Sequence, residues 1–249
     1  MKLEAYLYTT PGGRPDNADY RIEADQGLFV LADGLGGRQT GGSASALVVR
    51  SLVSMWGKRR RKRFSASSLK NGLAPWLRGR VLAANQTLLA AQRDQRTEMK
   101  STALALAMNG RQAAWCHVGD SRLYYLTGGV VFHATQDHTV AYRKFLEGKI
   151  SSEEISSDKD RGTLLRMMGD ELRCLPEAGG REHGDQISQG DAFLLCSNGF
   201  WEYLRDDEIL EDFLQSETPA QWADLLLQRV RPRMTPDSDN LTFLAVFLT

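Results

Sequence analysis

The chain has 249 residues, 42% of them hydrophobic and 25% charged, a composition that suits a soluble globular protein with room for one large domain or two small ones. Lys plus Arg and Asp plus Glu each total 31, which argues against a protein that binds nucleic acid or a membrane with its whole surface and leaves only local charge effects. Met1-Lys2-Leu3-Glu4-Ala5-Tyr6 has no apolar core of signal-peptide length, and no later apolar run nears the roughly 18 residues of a membrane span, so a cytoplasmic location is expected.

In chain order, the turn-rich stretch Pro11 to Asp19 leads to a strand-like run, Leu28 to Ala32. A helix is predicted over Ser43 to Trp56, where Ala44, Leu47, Val48, Leu52 and Met55 recur at helical spacing. A second is predicted from about Pro75 to Gln92, with Leu77, Val81, Leu88 and Leu89 on one stripe. Short strands follow at hairpin spacing over Thr102 to Met108, Ala113 to Val118, Leu123 to Leu126 and Val130 to His133, with Asn109-Gly110 and Gly128-Gly129 as tight turns. Residues from about 140 to 184 are polar, carry a helix-start signal at Ser151-Ser152-Glu153-Glu154, and read as a surface flap. Strand character returns at Ala192 to Cys196 and Leu241 to Leu248, with helices between at Asp206 to Leu214 and Ala220 to Val230. Strands and helices are grouped rather than alternating, which predicts an α+β fold of antiparallel sheets covered by helices in a single domain, 1–249.

Cys116, Cys174 and Cys196 share no metal-type spacing and read as buried thiols of a reducing compartment. The glycine-rich loop Asp33 to Gly42 lacks the glycine spacing of a dinucleotide site and the Lys-Ser/Thr of a P-loop. An Asp-Gly turn such as Asp33-Gly34 is by itself an ordinary β-turn, and its force comes from company. That company is Arg14-Pro15-Asp16-Asn17-Ala18-Asp19, Val118-Gly119-Asp120-Ser121-Arg122, Cys196-Ser197-Asn198-Gly199 and Asp239-Asn240.

In that order and at those distances, these segments resemble the motif series of the type 2C metal-dependent Ser/Thr protein phosphatases. The resemblance covers nearly the whole chain and includes Gln136-Asp137-His138-Thr139, Gly148-Lys149-Ile150-Ser151 and Leu164-Leu165-Arg166-Met167-Met168-Gly169, which look like the bacterial pattern. It implies a four-layer αββα sandwich, two antiparallel sheets flanked by helices. It also implies that Asp33 bridges two divalent ions, that the Gly34 carbonyl ligates one, and that Asp19, Asn198 and Asp239 belong to the metal set. Asp120 would serve a third ion, and Arg14 would grip the substrate phosphate with its guanidinium fork. Two or three Mn²⁺ or Mg²⁺ ions are the implied cofactors, because the donors are hard oxygens. Two such cations about 4 Å apart activate a water and neutralise charge as phosphorus is attacked in line. The expected partners are a phosphorylated protein and a Ser/Thr kinase, with no membrane, no specific nucleic acid and a monomeric state. Phe200-Trp201-Glu202-Tyr203-Leu204 looks like the branch that opposes kinases controlling type VI secretion.

The chain departs from the family pattern in three places. Asn198 stands where an acid is usual, Ala18 stands beside Asp19 where another acid is usual, and Gly41-Gly42-Ser43 lacks a usual Glu. Losing a unit charge about 4 Å from a cation removes on the order of several kcal/mol of attraction before desolvation is credited. A weakened enzyme, a phosphoprotein-binding relative without turnover, and a hand-made substitution at Asn198 all remain open on this reading. The six basic residues Lys58 to Arg63 read as a solvated loop between helices, with docking of an acidic or phosphorylated partner next.

Overall fold

The computed structural model describes residues 1–24, 27–35, 40–61, 72–181 and 186–249. Two compact units divide the chain, the first formed by Met1–Asn17, Gly119–Leu165 and Ser188–Thr249, the second by Ala18–Val118 and Arg166–Ile187. The predicted flap is therefore shared: its first part, to Leu165, belongs to one unit and the rest to the other.

In the chain's order the strands are β1 (Leu3–Thr10), β2 (Tyr20–Ala24), β3 (Leu28–Ala32), β4 (Gly34–Leu35), β5 (Lys100–Ser101), β6 (Ala103–Asn109), β7 (Gln112–Val118), β8 (Arg122–Thr127), β9 (Val130–Ala134), β10 (Glu177–Arg181), β11 (Ala192–Cys196) and β12 (Leu241–Leu248). The helices are α1 (Gly41–Arg61), α2 (Leu73–Gln95), α3 (Val140–Leu146), α4 (Asn198–Trp201), α5 (Asp206–Leu214) and α6 (Pro219–Val230).

The first unit holds the sheet β1-β12-β11-β8-β9, antiparallel throughout. The alternate residues Leu241, Phe243, Ala245 and Phe247 of β12 join a core with Trp222, Ala223 and Leu226 of α6 and Ile209 of α5, as a period of two on strands and 3.6 on helices requires. All of β12 is buried, so it reads as a continuous apolar run. Thr218 starts α6 by accepting a hydrogen bond from the Gln221 backbone N–H at 3.2 Å, with Pro219 in the first turn where its missing N–H costs nothing.

The second unit holds the sheet β10-β7-β6-β3-β2 and the small β4-β5 pair. Ala103, Ala105 and Ala107 of β6 and Ala114 and Cys116 of β7 offer a low surface on which Val48 and Leu52 of α1 and Leu77, Val81 and Leu88 of α2 pack. The three cysteines are free and buried, as expected, and burial pushes the Cys174 thiol up to about 12.

Three expectations change in the structure. The helix predicted to end at Trp56 runs on to Arg61, so Lys58 to Arg61 continue α1 rather than forming a loop, while residues 62–63 lie outside the described residues. Basic residues are good helix formers and favourable at a helix C-terminus, which explains the extension. The helix-start signal at Ser151 to Glu154 yields only a 3₁₀ turn, Ile155–Ser157. Finally, α3, α4, β1, β2, β4, β5 and β10 have no predicted counterpart.

Candidate metal centre

The sequence-predicted residues fall into two sets, Arg14, Asp120, Asn198 and Asp239 in the first unit and Asp19, Asp33 and Gly34 in the second. In the first unit the loop after β1 lies on the loop before β12. Asn240 donates from Nδ2 to the carbonyls of Pro11 at 3.0 Å and Asp16 at 2.9 Å, and the Gly13 N–H donates to the Ser238 carbonyl at 2.9 Å. A Cβ on Gly12 would lie 2.1 Å from the Asp239 carbonyl oxygen, and the residue holds φ +64°, so only glycine fits there. This docking brings Arg14 to Asp239, with Nε donating to Oδ1 at 3.1 Å, and the pair raises the Arg14 pKa.

Gly119, at φ +109°, turns the chain out of β7's end toward β8 and donates its N–H to His138 Nδ1 at 3.1 Å. Asp120 follows, 4% exposed, with its backbone carbonyl accepting from Trp201 Nε1 at 2.8 Å. Its Oδ1 is buried with no hydrogen-bond partner. Burial, and next the nearby Asp137 carboxylate, push the Asp120 carboxyl up to about 7. Asn198 opens α4 after Ser197, and its Oδ1 is likewise buried without a partner. A Cβ on the next residue, Gly199, would meet the Asn240 carbonyl oxygen at 2.2 Å, so α4 begins in close contact with the Asp239-Asn240 turn.

In the second unit Asp33 follows β3 with its backbone fixed on both sides. Its N–H donates to Thr102 Oγ1 at 2.9 Å, while its carbonyl accepts from the Thr102 N–H and from Ser101 Oγ, each at 2.8 Å. Gly34 pairs with Ser101 across β4-β5, and a Cβ there would lie 2.1 Å from the Gly41 carbonyl oxygen and 2.9 Å from that of Ala18. The absence of a side chain thus lets the segment before Asp19 and the start of α1 meet the Asp33-Gly34 turn. Ser45 of α1 ties the Ala18 carbonyl down at 2.5 Å, and Asp19 is buried.

The donors of the first unit, Asp120, Asn198 and Asp239, suit a hard divalent cation. Carboxylate, amide and carbonyl oxygens are its preferred ligands, and two of the oxygens in the first unit are buried without any protein partner, a costly state that a cation would relieve. The sequence reading names Glu202 only within the Phe200 to Leu204 segment and gives it no place at the centre. It lies one helical turn after Asn198, whose carbonyl accepts the Glu202 N–H at 3.1 Å, and its Oε2 accepts from Arg161 Nε at 3.3 Å. Burial raises its pKa against the opposing pull of Arg161, and Asp239 adds to the rise. The i, i+4 spacing from Asn198 is the signal that could have found it.

A family profile described as protein phosphatase 2C matches residues 14–233. The serine/threonine phosphatase stp of Listeria monocytogenes is 28% identical over 241 residues, covering 94% of this chain and 88% of that protein. Among solved structures, the catalytic domain of the serine/threonine protein phosphatase PstP in complex with two manganese ions superposes with a TM-score of 0.78 at 28% identity, over 98% of this chain and 97% of that one. PppA of Pseudomonas aeruginosa, described as a regulatory component of its type VI secretion system, gives 0.77 at 27% identity over 100% and 99%.

Proposed function

Because the chain belongs to the protein phosphatase 2C family of metal-dependent serine/threonine protein phosphatases, we propose that it removes phosphate from phosphoserine and phosphothreonine of a bacterial protein, acting as a single phosphatase domain over 1–249 with two or three Mn²⁺ or Mg²⁺ ions. In this reading Asp19, Asp33, the Gly34 carbonyl, Asp120, Asn198 and Asp239 hold the ions. The single observation that carries it is the pair of partnerless buried oxygens on Asp120 and Asn198. When bound, the ions supply Lewis acidity and lower the pKa of a water that attacks phosphorus.

The protein's own residues do the positioning. Thr102 and Ser101 hold the Asp33 backbone, so its carboxylate needs little reorganisation to receive a cation. Arg14 keeps a half-exposed guanidinium that can orient a phosphate, and its ion pair with Asp239 holds it beside that residue. Asn198 contributes an oxygen without charge, so metal binding is weaker than an acid would give. The likeness to PppA, described as a regulatory component of type VI secretion, supports a role in regulating such a system, exercised on this reading by opposing a Ser/Thr kinase. Buried, free thiols support a reducing compartment such as the cytoplasm, and among the described residues no helix is long and apolar enough to cross a membrane.

The test is phosphate release from a phosphothreonine peptide and an aryl phosphate with Mn²⁺. Asp33→Ala and Asp239→Ala should each abolish it, and Asn198→Asp should raise Mn²⁺ affinity at least about tenfold by calorimetry. Full activity in Asp33→Ala would sink the assignment. Activity confined to Asn198→Asp would instead make the chain a phosphoprotein-binding relative.

A further inference from the structure

A cleft of about 620 Å³ lies in the first unit, apart from the predicted metal residues in its lining. Tyr142 and Phe145 of α3 form one wall, Ile155 of the 3₁₀ turn another, and Trp201 and Leu204 at the end of α4 a third. Tyr142 and Phe145 meet edge to face at 5.5 Å, so this wall is a fixed apolar surface.

The charges around the cleft do not cancel. Arg122 lies at its base, but its guanidinium is engaged: it donates to both Asp137 oxygens at 2.8 and 2.7 Å and stacks over Trp201 at 3.4 Å. Arg205 at the rim is engaged by Asp207, at 3.0 and 3.2 Å. Glu153 and Asp206, both exposed, are left as the surplus charge on the rim. Hydrogen bonds from its own backbone, Ser151 and Ser152 favour the anionic form of Glu153. An apolar floor under a net acidic rim matches an extended chain that carries an aliphatic side chain flanked by cations.

We propose that this cleft docks a segment of the phosphoprotein substrate in which an aliphatic residue is flanked by Lys or Arg, away from the phosphorylated residue itself. This rests on the reading of the chain as a protein phosphatase and assigns the feature by which it selects its substrate. Trp201 gives the cleft a physical connection to the chemistry, since its indole N–H holds the Asp120 carbonyl at 2.8 Å.

The experiment titrates the full Mn²⁺-loaded chain into two labelled, unphosphorylated peptides, Gly-Arg-Leu-Arg-Gly and Gly-Glu-Leu-Glu-Gly, followed by fluorescence anisotropy. The arginine peptide should bind at least about tenfold more tightly, and Glu153→Lys combined with Asp206→Lys should remove that advantage. Ser156→Trp, which fills the cleft without changing charge, should weaken the arginine peptide by a similar factor. Equal binding of the two peptides, no binding of either up to about 1 mM, or unchanged binding in both variants overturns the proposal. Aryl phosphate hydrolysis, measured alongside, should be the same in the unaltered chain and in the Glu153→Lys, Asp206→Lys form. Its absence from every form would overturn the phosphatase reading while the peptide titrations still decide the cleft.

Discussion

The two units reach stability by different means. In the first, the core is aromatic and charged groups are buried within it: Phe200 stacks on Phe243 at 4.3 Å, Tyr125 on Phe193 at 4.6 Å, and Arg122 and Asp137 pair with side chains 15% and 1% exposed. Near α5 and α6, Glu208 accepts from Arg233 at 2.5 and 2.8 Å, and Arg229 holds Asp212 at 2.9 Å. The second unit's core is mainly aliphatic instead, with alanines on β6 and β7 beneath the Leu and Val side chains of two long helices. Its buried Asn85 serves the backbone, donating to the Asp170 carbonyl at 3.2 Å and accepting from the Gly169 N–H at 2.7 Å. One unit is thus sensitive to charge and the other to volume, because a buried ion without its partner and an overfilled core are penalised by separate physics.

The largest expected break in that contrast is Arg122→Ala. It leaves Asp137 buried and uncompensated, and urea unfolding should show a loss of about 3–5 kcal/mol. Faster hydrogen exchange should be concentrated in β8, β11 and β12. Replacing both partners, with Arg122→Met and Asp137→Leu, should restore much of that loss.

Acid should act next, and on the first unit. Hydrogen bonds from Arg233 hold the Glu208 carboxyl down at about 2, against the opposing effect of burial, with the Arg205 backbone N–H and further charges assisting. A depressed carboxylate stabilises the fold fully above its unfolded pKa, near 4.5, and that stability is lost as pH falls from there toward 2. Allowing for solvent at Arg233, Glu208's share of the loss amounts to roughly 2 kcal/mol, readable as the amount by which Glu208→Gln reduces the stability difference between pH 5 and pH 2.5.

A volume test sharpens the other side. Ala105→Leu on β6 should cost about 1–3 kcal/mol with little dependence on pH or salt. The smallest effect should come from Arg166→Ala in the same unit, which removes a partly exposed pair with Glu177 and should change stability by less than about 1 kcal/mol. A pH-dependent loss in Ala105→Leu, or a loss at Arg166 matching that at Arg122, would contradict the contrast.

Much of this architecture could be read in advance. The 3.6-residue stripe of α2 and the alternation or apolar runs of β6 to β9, β11 and β12 come from burial against helices, and burial leaves its period in the sequence. The strand β10 left none. Glu177–Arg181 reads EAGGR, and it pairs with β7 in a position where a Cβ on Gly179 would lie 2.8 Å from Trp115 Nε1 and one on Gly180 2.6 Å from the Ala113 carbonyl. Its glycines answer to a neighbour far away in the chain, so local propensity argued against a strand. Likewise α3 is short and depends on the Thr139 hydroxyl accepting the Tyr142 N–H at 3.1 Å.

For the candidate centre, Arg14, Asp19, Asp33, Gly34, Asp120, Asn198 and Asp239 are singled out through the resemblance of their segments to a family's motif series, with oxygen-donor chemistry as the physical reason the acids suit a hard cation, and they stand as the proposed set. Their surroundings were decided in three dimensions. The contact of Arg14 with Asp239 spans most of the chain, Trp201 reaches back to the Asp120 carbonyl, and Glu202 enters through a single turn of helix. Residue types record what a position can bind, whereas a hydrogen bond between distant segments exists only once sheets and loops have closed, and that closure is a property of the folded chain.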